Sequence, residues 1–231
     1  MNEILEQLKG KLIVSCQALE DEPLHGSIFM KQLAVAAVQG GASGIRANSP
    51  ADIRAIKASV NVPVIGIYKK TYQDSEVYLT VTIEDVEEIV AAGADIIAFD
   101  ATNRLRPSGQ TVQEFIKQVK TFFPDKLLMA DVSTLEEGIE AARSGVDIVS
   151  TTFAGYTPYT AHIRSFSFEL LEGLLNKLNI PIIAEGKINR PAMAASCIEC
   201  GAFAVVVGSA ITRPQLITQS YAEQINKVHS K

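Results

Sequence analysis

The 231 residues contain no tryptophan, and aromatic residues make up only 6% of the chain. Three cysteines form an odd and sparse set, so no disulfide framework is expected. No apolar run approaches the roughly 18 residues that a membrane span needs. Met1 to Gly10 is charged and amphipathic rather than leader-like, so a soluble, cytoplasmic protein is expected. An excess of positive charge is also missing. Lys and Arg number 21 against 26 Asp and Glu, a net charge of −5, which argues against nucleic acid or an anionic membrane as partner. His25, His162 and His229 are scattered along the chain, and without histidines the carboxylates of Asp100 and Asp131 carry little metal signal. No metal and no cofactor is expected.

What the chain has instead is aliphatic bulk: 47% of it is hydrophobic, dominated by Ala, Val, Ile and Leu, a composition suited to helices packed closely on a parallel sheet. Strand-like runs recur at Leu12–Cys16, Gly44–Ala47, Val64–Lys69, Ile96–Asp100, Leu127–Asp131, Ile148–Thr152, Ile182–Glu185 and Ala204–Gly208. Helix-period segments lie between them, at Ile28–Gln39, Ala51–Ala58, Glu84–Ala92, Val112–Phe123, Leu135–Arg143, Phe168–Leu178 and Ala192–Glu199. Ser49-Pro50 and Ser133-Thr134-Leu135-Glu136-Glu137 supply helix starts. Gly93, Gly145 and Gly201 supply helix exits. Strand and helix alternate throughout without a break in composition, which predicts an α/β chain with one domain over residues 1–231. Eight such units predict a closed (β/α)8 barrel, the TIM barrel, typically about 250 residues. An open doubly wound sheet is the competing arrangement.

The two sets of loops differ. Helix-to-strand turns are short and led by glycine, whereas the strand-to-helix loops Lys70–Val81, Ala101–Gln110 and Phe153–Ser167 are longer and polar. In a barrel all of the latter lie at the C-terminal mouth, where such enzymes work. Arg46, Lys69, Lys70, Arg104, Arg106, Arg164, Lys187 and Arg213 fall at strand ends or just after them, so an acidic protein has a basic mouth. That favours a small anionic ligand, with most of these cations taken singly expected to be solvated rim residues.

Two segments echo one another: Asn61-Val62-Pro63 opens a run that reaches Lys69, and Asn179-Ile180-Pro181 opens one that reaches Glu185. Both ionisable residues lie an even number of positions after their proline and therefore share its face of the strand. Strands three and seven are opposite in a ring of eight, so Lys69 and Glu185 should project inward from facing walls. Such a pair can give and take protons, and a structural ion pair across the barrel end fits the same geometry. The run Val207 to Pro214 follows the last strand with glycine and small residues, a position suited to phosphate in these barrels. Gly186, Gly208 and Ser209 are candidates for it, with Arg213 nearby. Cys197-Ile198-Glu199-Cys200 has redox or zinc spacing but sits in a helix with no second pair beside it, so a buried helix face is the expected reading.

The chain resembles the N-acetylmannosamine-6-phosphate 2-epimerase family over nearly its whole length. The segments that carry the likeness are Gly66 to Lys70, Asp100 to Arg104, Met129 to Thr134, Ser150 to Thr152, Gly155 to Thr160, Ile183 to Ile188 and Val207 to Pro214. The resemblance implies Lys69 and Glu185 as the catalytic pair, substrate contacts at Gln17, Arg46 and Asp131, a small sugar-phosphate substrate and a homodimer. The reaction it implies is ring opening, removal of the C2 proton to leave an enolate, and return of a proton on the other face. A Schiff-base aldolase using Lys69 and a non-catalytic sugar-phosphate-binding barrel are the alternatives.

Overall fold

Every strand-like run does become a strand, because runs of Val, Ile, Leu and Ala bounded by turns bury both faces when helices cover one side and a closed interior the other. The computed structural model describes residues 2–229. The strands are β1 Leu12–Cys16, β2 Gly44–Asn48, β3 Val64–Ile67, β4 Ile96–Asp100, β5 Leu127–Asp131, β6 Ile148–Ser150, β7 Ile182–Ala184 and β8 Ala204–Val207. They pair in parallel in chain order, and β8 returns to β1 to close the barrel. The (β/α)8 expectation therefore holds and the open sheet does not. The helices are α1 Glu3–Leu8, α2 Ser27–Gln39, α3 Pro50–Lys57, α4 Ile83–Ala91, α5 Val112–Phe122, α6 Leu135–Arg143, α7 Phe168–Lys177, α8 Pro191–Glu199, α9 Ser209–Thr212 and α10 Pro214–His229.

Alternate residues of each strand serve two cores. Ile13, Ile65, Ile67, Ile96, Met129, Ile148 and Ile183 fill the barrel, while Val14, Ile45, Val64, Ile97, Leu128 and Ile182 pack under the helices. Leu5 and Leu8 of α1 join the interior cluster and close the N-terminal end. Local signals agree with the fold. Thr82, Thr111 and Thr134 each form a capping box with the acidic residue three positions on, a cap being worth about 1 kcal/mol. Gly93, Gly145 and Gly201 all have positive φ at the helix exits.

The differences from the sequence reading are at the mouth. β3, β6, β7 and β8 stop pairing before Lys69, Thr152, Glu185 and Gly208, so these residues stand just beyond the ladder instead of at its last rungs. The chain leaves the sheet there because other partners replace the ladder. The Lys69 N–H donates to Asn48 Oδ1 at 2.8 Å and Lys69 bridges back to Leu79, while Gly186 turns away at φ +96°. Helices α1 and α10 lie outside the helix-period segments of the sequence. The last of these is largely exposed and lacks the buried periodic stripe that marks the others.

Candidate active site

The interior changes character from floor to mouth. Isoleucines low in β1 and β3 give way upward to Ser15 and Lys69, and the open end is a cavity of about 950 Å³. Lys69 stands in its wall. Its backbone is tied down by Asn48 and Leu79, and the neighbouring Tyr68 N–H donates to Thr80 Oγ1 at 3.0 Å. Leu79 then folds into the barrel interior beneath. The Lys69 ammonium itself donates no hydrogen bond to, and forms no ion pair with, any described residue. Burial, followed by the positive charges of Arg46 and Arg213, lowers it to about 8, against smaller opposing effects of Glu185 and Glu22. An amine at that value is available as a base near neutral pH.

Glu185 lines the same cavity and is held on every side but one. Arg46 Nη1 donates to its Oε2 at 2.6 Å, and Thr152 Oγ1 lies 3.1 Å from the same oxygen. The Thr151 hydroxyl donates to the Glu185 carbonyl at 2.8 Å and accepts from its N–H at 3.0 Å, fixing the backbone from outside the barrel. Oε1 has no partner among the described residues, which leaves it to the cavity. Burial raises the carboxyl above the usual carboxylate range, and the Arg46 guanidinium pulls it back. Arg46 is buried, with its side chain 1% exposed, and also holds Asp131 through Nη1–Oδ1 at 3.1 Å and Nη2–Oδ2 at 2.5 Å. Burial alone would lower this guanidinium, but its two carboxylate partners outweigh that and hold it above its ordinary value. Lys69 and Glu185 are thus not an ion pair with each other: the carboxylate is already committed to arginine, and the amine is left free.

The third wall joins β7 and β8. Gly186 turns with φ +96°, a backbone that side chains rarely adopt, and a Cβ there would stand 3.1 Å from the Thr152 carbonyl oxygen. Gly208 caps α9 and faces Ser15, whose Cβ would lie 3.3 Å from one added to the glycine. Ser209 follows, and its hydroxyl accepts from Arg213 Nη1 at 3.1 Å. Arg213 is also clasped by Glu22, Nε–Oε1 2.7 Å and Nη2–Oε2 3.0 Å. Gln17 completes the corner: its amide nitrogen donates to Ser15 Oγ at 2.6 Å while its carbonyl oxygen is buried without a partner among the described residues. The cavity therefore offers a basic corner of glycine backbone, one arginine and one amide beside the lysine and the carboxylate.

Residues 30–227 match the sequence profile of the family described as "Putative N-acetylmannosamine-6-phosphate epimerase". A relative of that name, a 2-epimerase of Shouchella clausii, is 51% identical over 97% of this chain and 100% of its own length. The chain belongs to the N-acetylmannosamine-6-phosphate 2-epimerase family. A solved structure of the N-acetylmannosamine-6-phosphate 2-epimerase from Clostridium perfringens superposes with a TM-score of 0.92 at 48% identity, covering 96% of each chain. A thiamine phosphate pyrophosphorylase from Pyrococcus furiosus, at 19% identity and a TM-score of 0.61 over 90% of this chain and 89% of that one, shares the barrel alone.

Within this epimerase-family barrel, Gln17, Arg46, Lys69, Glu185, Gly186, Gly208, Ser209 and Arg213 line one cavity. Asp131 does not reach its wall; it lies beneath Arg46 and acts on the cavity through that side chain. The basic mouth is smaller than the sequence implied. Lys70 pairs with Asp85 and Glu88, Arg104 with Asp100, and Arg106 donates to the Asp100 and Val81 carbonyls, so the loop Ala101–Gln110 adds nothing to the lining. Thr152, Tyr78 and Tyr156 do line it and were not singled out. Thr152 was legible in principle, since it shares the inward phase of Ile148 and Ser150 on β6. Lys187 folds back, donating to the Ala154 carbonyl at 2.8 Å with its ammonium 3.6 Å from the centre of the Tyr156 ring. Of the Cys197–Cys200 pair, Cys197 is buried on α8 as expected, whereas Cys200 caps the end of that helix and is only half-buried. Among the described residues no three His, Cys, Asp or Glu side chains are placed to hold a metal ion, and no helix is long and apolar enough to cross a membrane.

Proposed function

We propose that this chain interconverts N-acetyl-D-mannosamine 6-phosphate and N-acetyl-D-glucosamine 6-phosphate, as one cytoplasmic (β/α)8 unit, in the breakdown of amino sugars and sialic acid. The observation that carries the reading is an unpaired lysine lowered to about 8 that shares a cavity with an arginine-held carboxylate and a glycine-lined basic corner. The 6-phosphate sits at Gly186, Gly208 and Ser209, where backbone N–H groups and the start of α9 favour an anion, and Arg213 pairs with it. Gln17 and Arg46 contact the sugar, and Asp131 holds Arg46. Glu185 Oε1 opens the ring by moving the anomeric hydroxyl proton to the ring oxygen. Lys69, as the free amine, removes the C2 proton from the open-chain aldehyde, and the enolate oxygen is stabilised by nearby donors. The proton returns to the other face of C2.

Incubation with N-acetylmannosamine 6-phosphate in heavy water should replace the C2 hydrogen by deuterium as the second sugar appears, followed by NMR. Because only the neutral amine is a base, and at pH 7 roughly a tenth of Lys69 is neutral, kcat/KM should climb between pH 6 and 8 and level off above about 8. Tight binding with no C2 exchange would instead make this a binding barrel. The free amine also suits a Schiff base, and borohydride trapping of substrate on Lys69 would turn the reading to an aldolase.

A homodimer is part of the same proposal. Tyr221, Ile225 and Val228 on α10 are 70, 60 and 72% exposed and, spaced four and three residues apart, share one helix face, the kind of apolar patch that marks a contact between proteins. Sedimentation at micromolar concentration should give twice the mass of the chain; a monomer there would refute it.

A further inference from the structure

The contact that the reaction scheme leaves unused is the hydroxyl of Thr152. It stands where two carboxylates meet: Asp131 Oδ1 is 2.7 Å from Thr152 Oγ1 and Glu185 Oε2 is 3.1 Å from it. Two donors also stand beside it: Ser150 Oγ is 2.8 Å away and Arg46 Nη1 is 3.5 Å away. Ser150 is fully buried, and Thr152 is the only hydrogen-bond partner of its hydroxyl among the described residues. Ser150 must therefore donate to Thr152, since otherwise its proton points at nothing in a buried site. Thr152 then has one proton left and two carboxylates within reach.

The two carboxylates are not equally provided for. Asp131 receives two N–H donors from Arg46, one on each oxygen. Glu185 Oε2 receives one, from Arg46 Nη1, and Oε1 faces the cavity. Which carboxylate takes the Thr152 proton depends on whether Glu185 is charged. An ionised Glu185 competes for it. A Glu185 protonated on Oε1 presents Oε2 as a weak carbonyl acceptor, and the proton goes to Asp131.

We propose that Thr152 is a positioning residue whose single hydroxyl proton changes partner between Asp131 and Glu185 as Glu185 takes up and gives back a proton. The inference rests on the ring-opening role of Glu185. In that step Oε1 takes the proton of the anomeric hydroxyl, the O–H electron pair becomes the C1 carbonyl bond, and the C1–ring oxygen bond breaks. The ring oxygen keeps that bond's electron pair and receives the same proton from Oε1. While Glu185 holds the proton, Thr152 turns to Asp131. When Glu185 releases it, Thr152 turns back, so neither carboxylate is left with fewer donors than its charge requires. The other charged or titratable groups facing Glu185 are Arg46 from β2, Lys69 beyond β3, Asp131 from β5 and Tyr156 after β6, and Arg213 after β8 lines the same cavity. Of the side chains hydrogen-bonded to its carboxyl, Thr152 is the one that can both give and accept a proton.

The test reads both carboxylates directly and without substrate. The 13C shifts of the Glu185 and Asp131 carboxyl carbons, assigned by their loss in Glu185→Gln and Asp131→Asn, are followed against pH in the wild type, Thr152→Val and Thr152→Ser. Removing Thr152 takes a donor from Glu185 when it is charged and from Asp131 when it is neutral, so the two losses offset in the Glu185 midpoint; what is lost is the coupling between the two groups. In the wild type and Thr152→Ser the Asp131 carbon should show a step at the Glu185 midpoint, and in Thr152→Val that step should fall by more than half. Ser150→Ala combined with Thr152→Val leaves no orphaned hydroxyl and should lose the step as Thr152→Val does, which guards against a folding defect in the single variant. With substrate, kcat should fall in Thr152→Val and recover in Thr152→Ser while KM stays within about twofold. An Asp131 step as large in Thr152→Val as in the wild type would overturn the proposal, as would its loss in Thr152→Ser. A wild-type enzyme that exchanges nothing at C2 sinks the epimerase reading alone, because the carboxyl titration still decides the role of Thr152.

Discussion

Lys69→Ala should lower C2 deuterium exchange by about 10²–10⁴-fold, the usual worth of a general base, while substrate binding at the phosphate corner persists. The side chain strands no partner among the described residues, so the variant should fold. Lys69→Arg distinguishes a base from a mere positive charge, because guanidinium stays protonated at any working pH. It should be as inactive as the alanine variant. Exchange at the wild-type rate in either variant would remove Lys69 from the chemistry. The lysine is free to act because Arg46 has already engaged Asp131 and Glu185 beside it.

Arg46→Met should destabilise the protein by about 3–5 kcal/mol, the cost of leaving buried carboxylates without their partner. For a chain of this size that is roughly 10 °C in Tm. Asp131 and Glu185 have side chains 0% and 12% exposed and cannot recover their hydration. The loss should shrink as pH falls. Without Arg46 the folded protein holds a proton on Glu185 to a higher pH than the unfolded chain does, so stability declines as pH rises through that window and returns below it. Thermal melts at pH 5 and pH 8 measure the difference. A variant as stable as the wild type at pH 8 would show that the carboxylates are compensated elsewhere. Arg46→Met with Asp131→Asn and Glu185→Gln should restore much of the stability and none of the activity.

Much of this site was legible because a barrel translates sequence into direction. Lys69 and Glu185 were placed by counting from Pro63 and Pro181, and the count works because side chains on a strand alternate and β3 and β7 lie opposite in a closed ring. The same count reaches Thr152 from Ile148. It was passed over because a threonine at a strand end has many bland readings, and its use appears only when Asp131 and Glu185 arrive beside it from β5 and β7. Asp131 is the converse case. Its position at the end of β5 was clear, but the sequence could not tell a residue on the cavity wall from one beneath it.

Local order along the chain, then, determined the eight strands, the helices between them and the face each strand residue takes, because backbone periodicity and helix caps depend on near neighbours. Partnerships among charges were decided only by tertiary structure. Lys70, Arg104, Arg106 and Arg213 looked as basic as Lys69, yet the fold brings Asp85, Asp100, Glu22 and backbone carbonyls against them and, among the described residues, leaves the Lys69 amine alone. Electrostatic pairing acts across space, between segments far apart in the chain, so which cation remains free is a property of the closed barrel.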